Sequence, residues 1–531
     1  MDSFGRRCAL RRTFSDLTIN HDSAIFAFPG TCPKTSNPSE RMLYPEFVDD
    51  ISLDWRVCSR ARLSRDPRFD GKFFIGVRGS GVYCRPICPA PTAKEKNVRY
   101  FPTAAAAAEA GFRPCLRCRP ECSPGTPAWL GTSNTVARAL RLIGDDGLDE
   151  GGVELLAERL GVGSRHLRRL FLKHLGATPS AVAQTRRLHF AKKLIDETTL
   201  PMAHVAQAAG FGCVRRFNAA IRSTYHRTPT QIRGLRRQTT LLPENHFLFR
   251  LRFRPPYDWE SMIAFLAPRA TPGVELIQGG CYRRSICVNG EEGYVEICLD
   301  ELPDTLHVCI HFPQPRALFL IIERIRRMFD LNADWHRIAE RLQADPALRR
   351  KVEARPGVRV PGCWDGFELA VRAILGQQVT VKGATTLAGR LVQCFGRPLA
   401  APNGLTHTFP SPEVLADANI KRIGLPTKRA ETLRRLARAV CDREINFDGI
   451  TDSAAFLRQL TELPGIGTWT AEYIAMRALG EPDAFPSADL GLMRALRVKN
   501  SRDLELRSQR WRPWRAYAAL YLWSSQATQH Q

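Results

Sequence analysis

The chain has 531 residues, 44% of them hydrophobic, and a formal net charge of +24 at pH 7. That length exceeds what one core usually organises, so three to five domains are expected. No run approaches 18 apolar residues and the N-terminus lacks a signal-peptide core, which argues against a membrane partner and predicts a cytoplasmic protein.

So basic a chain points to nucleic acid rather than to small metabolites. Its 16 cysteines, in a reducing compartment, argue for core thiols and metal ligands over a disulfide framework. The charge is uneven: +6 over residues 49–122, +10 over 123–240, −4 over 241–315 and +11 over 316–531. Three basic blocks and one acidic block predict several DNA-facing surfaces and one domain turned away from phosphate.

Residues 1–48 lack sustained periodicity, carry scattered Pro and Ser, and read as a disordered extension, with Met42 an in-frame candidate start. Residues 49–122 form a small domain. Gly71–Val77 and Gly81–Tyr83 alternate around glycine turns as a small sheet would, with too little apolar material for an independent core. Ala104–Ala108 reads as a short helix. The staple is a cysteine quartet, Cys84-x3-Cys88 and Cys115-x2-Cys118, suited to one zinc ion held by four thiolates. Cys122 is an alternative to Cys118, with the poorer spacing.

The flanking residues, Tyr83-Cys84-Arg85-Pro86-Ile87-Cys88 and Phe112-Arg113-Pro114-Cys115-Leu116-Arg117-Cys118, resemble the N-terminal domain of the Ada methylation-response family. The resemblance implies that Cys84 is both zinc ligand and nucleophile, taking a methyl group irreversibly from a DNA methylphosphotriester. A zinc-bound sulfur stays deprotonated at neutral pH and nucleophilic toward a soft methyl carbon. Methylation removes one negative charge beside DNA, which favours binding and turns repair into a signal. The segment Pro89-Ala90-Pro91-Thr92 departs from the more basic character of relatives.

Residues 129–237 carry two helix-turn-helix patterns. In Val153–Ser164 the apolar spacing is helical, Gly161 permits the turn and Ser164 is a candidate cap for the second helix, which exposes Arg165, Arg168 and Arg169. The second copy, Val205–Phe217, places Arg215, Arg216 and Arg222 on its second helix. Both resemble the AraC-type DNA-binding domain, which implies two recognition helices in successive major grooves.

Residues 244–315 alternate like antiparallel strands, from Phe247–Phe253 to Val308–Phe312, and are expected to form an α+β layer on a helical domain spanning 316–527. Within the latter, Leu463-Pro464-Gly465-Ile466-Gly467-Thr468 sets two glycines before a helix, exposing N–H groups that can hold a DNA phosphate. This is a helix-hairpin-helix turn. Asp489, 22 residues beyond Gly467, completes the pattern of the helix-hairpin-helix DNA glycosylases.

Pro255-Pro256-Tyr257-Asp258-Trp259, Arg372–Gln377 and Trp511–Arg515 resemble the AlkA alkylbase glycosylases. That resemblance implies Asp489 as catalytic carboxylate and Trp469, Tyr473 and Trp523 as walls of the base pocket. Gln378 stands where a relative inserts an apolar wedge into DNA. Lyase-type relatives carry a lysine at the position of Trp469, so simple hydrolysis is expected, with no Schiff base. No cysteine follows Cys441, which excludes a C-terminal iron–sulfur loop, and the Pro-Cys-His-Arg motif of methylguanine methyltransferases is absent.

The fold expectation is therefore multidomain and predominantly α with α+β parts. The function expected is a methylation-activated transcription regulator that also excises alkylated bases such as 3-methyladenine. The alternative is a DNA-binding regulator whose glycosylase half is inert. Double-stranded DNA is the expected partner, RNA polymerase a candidate one, and a monomer the expected state.

Overall fold

The computed structural model describes residues 54–124, 134–145, 152–235, 243–401, 404–447 and 453–527. The expected extension at 1–48 lies outside them. The N-terminal module comprises helix α1 (Trp55–Ser64), strands β1 (Phe74–Val77), β2 (Val82–Cys84) and β3 (Val98–Phe101), helix α2 (Ala104–Glu109) and the short strand β4 (Arg113–Pro114). Its sheet runs β3-β1-β2-β4, with β2 and β4 parallel and the other pairs antiparallel.

Alternation along β1 buries both faces. Phe73 and Ile75 pack with Cys58 and Ala61 of α1, whereas Phe74 turns to Tyr83 and Phe101. The second cluster does not close within the module. It continues into helices α3 (Asn134–Asp145), α4 (Gly152–Arg159) and α5 (Ser164–Leu175), through residues such as Leu142, Leu156 and Phe171. A module too small for its own core thus shares one with the first helix-turn-helix unit.

Helix α6 (Pro179–Glu197) joins that unit to the second, formed by α7 (Met202–Ala208), α8 (Val214–Tyr225) and α9 (Pro229–Gly234). Gly161 and Gly210, at φ +65° and +76°, make the two turns. Ser164 does not cap: α5 begins at Ser164 itself, Gly163 occupies the cap position, and no side chain bonds the helix start. In α8 the corresponding place is taken by Cys213, whose Sγ accepts from the Arg216 amide at 3.5 Å.

The second unit shares its core with the C-terminal half of the chain. Val205, Phe217 and Ile221 belong to one apolar cluster with an antiparallel five-stranded sheet and with α11 (Leu318–Met328). Between them lie β5 (His246–Arg252), α10 (Trp259–Leu266), β6 (Glu275–Gln278), β7 (Cys281–Val288), β8 (Glu291–Leu299) and β9 (Thr305–His311), in sheet order β5-β9-β8-β7-β6. Cys281 and Cys298, on the paired strands β7 and β8, form a disulfide with a Cα–Cα distance of 4.5 Å. The sequence did not predict this bridge; the close approach of two cross-strand cysteines creates it.

The remaining helices are α12 (Trp335–Gln343), α13 (Pro346–Ala354), α14 (Gly366–Leu375), α15 (Val381–Phe395), α16 (Pro412–Asp417), α17 (Thr427–Cys441), α18 (Ser453–Glu462), α19 (Thr468–Arg477), α20 (Leu490–Leu496), α21 (Ser501–Ser508) and α22 (Arg515–Ala527). They enclose a core of aliphatic and aromatic side chains that includes Ile374, Leu433, Ile474 and Trp511. Among the described residues no helix is long and apolar enough to cross a membrane.

The sheet is tied to this helical domain by buried charge. Arg284 of β7 donates to Glu368 of α14 at 2.7 Å, and Arg372 of α14 donates to Glu275 of β6 at 2.9 Å. Glu275 also accepts from the Thr271 amide and the Tyr282 hydroxyl. Burial opposes ionisation of Glu275, yet Arg372 and Arg284 hold its carboxyl below the usual range. A carboxyl held low stabilises the fold above its unfolded-state pKa and loses that contribution as pH falls through the folded value. Glu275→Gln is therefore expected to cost about 3–5 kcal/mol at neutral pH. In urea titrations against pH, the wild type should lose stability below about pH 4, with a shallower acid limb in the variant.

Candidate zinc centre and base-excision site

Cys84 ends β2, and Cys88 follows a turn in which its amide donates to the Arg85 carbonyl at 3.1 Å. Pairing of β2 with β4 brings the second half of the quartet alongside: the Cys115 amide donates to the Tyr83 carbonyl at 3.0 Å. The Sγ atoms of Cys84, Cys88, Cys115 and Cys118 all lie within 4.8 Å of one another, whereas Cys122 is outside the cluster. Tetrahedral zinc with Zn–S bonds near 2.3 Å sets sulfur–sulfur edges of about 3.8 Å, so the quartet fits one zinc ion.

Protonation behaviour supports the fit. Hydrogen bonding to Cys115, then to Cys84 and Cys88, and after these burial, push the Cys118 thiol far up, while Cys118, Cys84 and Cys88 draw Cys115 down. Four thiolates cannot share this volume without a cation to offset them. Arg85 supports the cage. Its amide donates to Cys118 Sγ at 3.3 Å, Nη1 donates to the Cys118 carbonyl at 3.0 Å, and the buried guanidinium pairs with Asp70. Cys84 and Cys118 are buried; Cys88 and Cys115 are partly exposed.

At the other site the hairpin lies between α18 and α19. Gly465 has φ +97°, and a Cβ there would meet Thr432 Oγ1 at 2.2 Å, so only glycine fits. Ile466 is buried and anchors the turn, whereas Gly465 and Gly467 are exposed. Gly467 takes the N-cap position of α19, and no side chain bonds that helix start, which leaves its amides facing outward for an anion. Gln377 braces the hairpin, donating to the Gly465 carbonyl at 2.8 Å and to Thr470 Oγ1 at 3.1 Å. Gln378, next in the chain, has φ +56° and is followed by exposed Val379 and Val381.

Asp489 caps α20, with Oδ1 accepting from the Leu492 amide at 2.8 Å. It is more than a cap. Trp523 Nε1 donates to the same oxygen at 3.0 Å, and Trp469 Nε1 donates to Oδ2 at 2.9 Å. The indoles from α19 and α22 therefore aim the carboxylate and form its walls. Tyr473 stacks on Trp469 at 5.4 Å between centroids, with planes 6° apart, and lies 6.4 Å from Trp523. Asp489, Trp469, Tyr473 and Trp523, from three separate helices, are thus one constellation.

Two further residues act on Tyr473 that sequence reasoning missed, Arg477 and Arg269, and Phe265 lies against both. Phe265 of α10 lies beneath Arg269, 4.0 Å from its ring centroid, and Arg477 faces the same ring at 5.1 Å. Phe265 and Arg269 sit some 200 residues before the hairpin in an ordinary amphipathic helix and the turn after it, so no spacing marks them. On the regulatory side, Arg165, Arg168 and Arg169 lie on α5, and Arg215, Arg216 and Arg222 on α8. Arg168 pairs with Glu154 at 2.7 Å.

Gly465→Ala is expected to destabilise the helical domain by about 1–3 kcal/mol, through its positive φ and the Thr432 clash. It should also weaken binding of undamaged duplex, as read by calorimetry and fluorescence anisotropy.

Comparison with known proteins finds related families along most of the chain. Family models match the metal binding domain of Ada over residues 57–121 and a helix-turn-helix domain over 156–234. Others match the AlkA N-terminal domain over 248–365 and the HhH-GPD superfamily of base excision DNA repair proteins over 371–515. The "DNA-3-methyladenine glycosylase 2" of Escherichia coli is 35% identical over 286 residues, 53% of this chain and 99% of the relative. The E. coli "Bifunctional transcriptional activator/DNA repair enzyme Ada" is 38% identical over 125 residues, 24% of this chain and 34% of the relative. A Mycobacterium tuberculosis protein named "Probable bifunctional transcriptional activator/DNA repair enzyme AlkA" is 44% identical over 480 residues, 89% of this chain and 96% of that protein. At that identity over almost the whole of both proteins, the chain belongs to the same family, in which an Ada-type zinc and helix-turn-helix half precedes an AlkA-type helix-hairpin-helix glycosylase half.

Proposed function

We propose that this chain couples two responses to DNA alkylation: hydrolytic excision of alkylated bases such as 3-methyladenine, and transcription regulation switched by methyl transfer to Cys84. The observation that carries the reading is Asp489, gripped by two indole N–H groups at the end of an aromatic wall beside a phosphate-binding hairpin.

The hairpin amides hold the DNA backbone while the damaged nucleotide swings out of the stack. Trp469, Tyr473 and Trp523 offer electron-rich faces to a base made cationic by alkylation. As the bond from C1′ to the base breaks with its electron pair on the base, positive charge grows on the sugar. Asp489 stabilises that charge and guides water to C1′. The products are a free base and an abasic site in an unbroken strand, since no amine occupies the position of Trp469. Asp489→Asn keeps the helix cap but removes the charge. Base release from methylated duplex is expected to fall by about two to three orders of magnitude, and a wild type that releases nothing would favour the inert-glycosylase alternative.

In the regulatory half, bound zinc keeps the quartet deprotonated at neutral pH. Cys84 Sγ attacks the methyl carbon of a phosphotriester. An S–C bond forms, the C–O bond breaks with its electrons on oxygen, and a phosphodiester remains. The quartet then carries one negative charge fewer, which favours the DNA backbone. Arg165, Arg168, Arg169, Arg215, Arg216 and Arg222 read promoter DNA, with Gln378 filling the space left by the extruded base at the excision site. We place the protein at the bacterial nucleoid as a monomer that meets RNA polymerase at promoters. Mass spectrometry after exposure to methylphosphotriester DNA is expected to find one added methyl, on Cys84. Cys84→Ala should abolish it and loosen zinc, and undiminished labelling would move the role to another sulfur.

A further inference from the structure

Tyr473 belongs to the aromatic wall, yet its hydroxyl meets a different chemistry from the indoles. Arg477 Nη1 donates to Tyr473 Oη at 2.8 Å. That guanidinium is immobilised: Arg477 is 5% exposed, and it also donates to the Pro361 carbonyl at 2.8 Å and the Gly362 carbonyl at 3.0 Å. Arg269 is the second cation acting on the phenol, itself stacked on Phe265. A guanidinium can only donate. Tyr473 Oη is therefore an acceptor toward the protein, and among the described residues its own hydrogen has no acceptor. A phenol O–H without a protein acceptor, on the wall of a pocket for a planar heterocycle, is available to that heterocycle.

We propose that Tyr473 is a catalytic hydrogen-bond donor to the departing base, with Arg477 and Arg269 as positioning residues that present its hydroxyl. The proposal rests on the excision reading above. A purine made cationic by alkylation leaves as a neutral molecule, because the electron pair from C1′ cancels its charge, and such a donor adds little. A neutral damaged purine such as hypoxanthine leaves as an anion instead. Tyr473 O–H then donates to it, and complete transfer gives a neutral base and a phenolate beside Arg477 and Arg269. Water adds to C1′ and releases one proton, which restores the phenol, so the sum is simple hydrolysis. Burial opposes the phenolate, but the neighbouring guanidinium groups outweigh it and hold the phenol below its ordinary pKa. The wall thus has a carboxylate for the positive sugar and cations for the negative base, matching the charge separation of bond breaking.

The test compares single-turnover release of hypoxanthine and of 7-methylguanine from otherwise identical duplexes by the full-length protein. Tyr473→Phe keeps the stacked ring and deletes the hydroxyl. The ratio of hypoxanthine to 7-methylguanine release is expected to fall about 100-fold. In Arg477→Met the alkaline limb of hypoxanthine release should move to higher pH, while that of 7-methylguanine should not follow. An unaltered release ratio in Tyr473→Phe overturns the proposal, as does a wild type that releases 7-methylguanine but no hypoxanthine; in both cases excision itself stands. A wild type that releases neither base overturns the excision reading and this proposal with it.

Discussion

Arg284 is 2% exposed, and its charge is tolerable only because Glu368 and Glu275 come to it from a helix and a neighbouring strand. The same constraint recurs at each joint of the chain. Asp70 in the N-terminal module compensates Arg85, and its carbonyl accepts at 2.9 Å from Arg254, which is buried between that module and the glycosylase half. Lys72 reaches Asp334 at 2.7 Å across the same boundary. Lys192 of α6 meets Glu121 beside the cysteine cage. Such pairs contribute little net stability over apolar packing, but a partner displaced from a buried charge carries a heavy penalty. They therefore set the register of modules whose apolar cores already run together.

Shared cores give those joints their consequence. The zinc module closes on α3 to α5, and the second helix-turn-helix unit closes on the five-stranded sheet and α11. Neither DNA-reading unit is a bead on a string. The hydroxyl of Tyr83, adjacent to Cys84, bonds His189 of α6 at 2.7 Å, and burial holds that imidazole neutral, at a pKa of about 4. The residue next to Cys84 thus touches the helix that joins the two helix-turn-helix units.

Both chemical sites solve one electrostatic problem, which is to hold charge where DNA will change it. The quartet gathers four sulfurs in a volume that fits one dication, so that a change of charge on any of them would alter the field felt by phosphate. The excision site separates its charges along an aromatic wall, with Asp489 bonded to the indoles and Tyr473 to Arg477. In each, hydrogen bonds from rigid elements fix a member of the site: the Arg85 amide on Cys118, a neighbour of Cys84 in the quartet, and the two indoles on Asp489.

Sequence by itself determined the features that depend on local chain geometry. Two cysteine pairs at short spacing fall on adjacent turns, a Gly-x-Gly before a helix makes an amide-lined hairpin, and apolar periodicity lays out the helices. What lay beyond it depends on elements meeting at a distance. The cap expected from Ser164 became a first helical residue, with Gly163 one place earlier at the cap, a shift of the size by which helix boundaries escape a reading of spacing. The disulfide of Cys281 and Cys298 needed the β7–β8 register. Asp489 was legible as a carboxylate after a hairpin, and Arg477 stands one helical turn from Tyr473, but the grip of Trp469 and Trp523 on Asp489 and the approach of Arg269 to Tyr473 were decided by tertiary structure. Spacing along a chain specifies turns and faces, whereas side chains two hundred residues apart acquire a common chemistry only when a shared core brings their helices together.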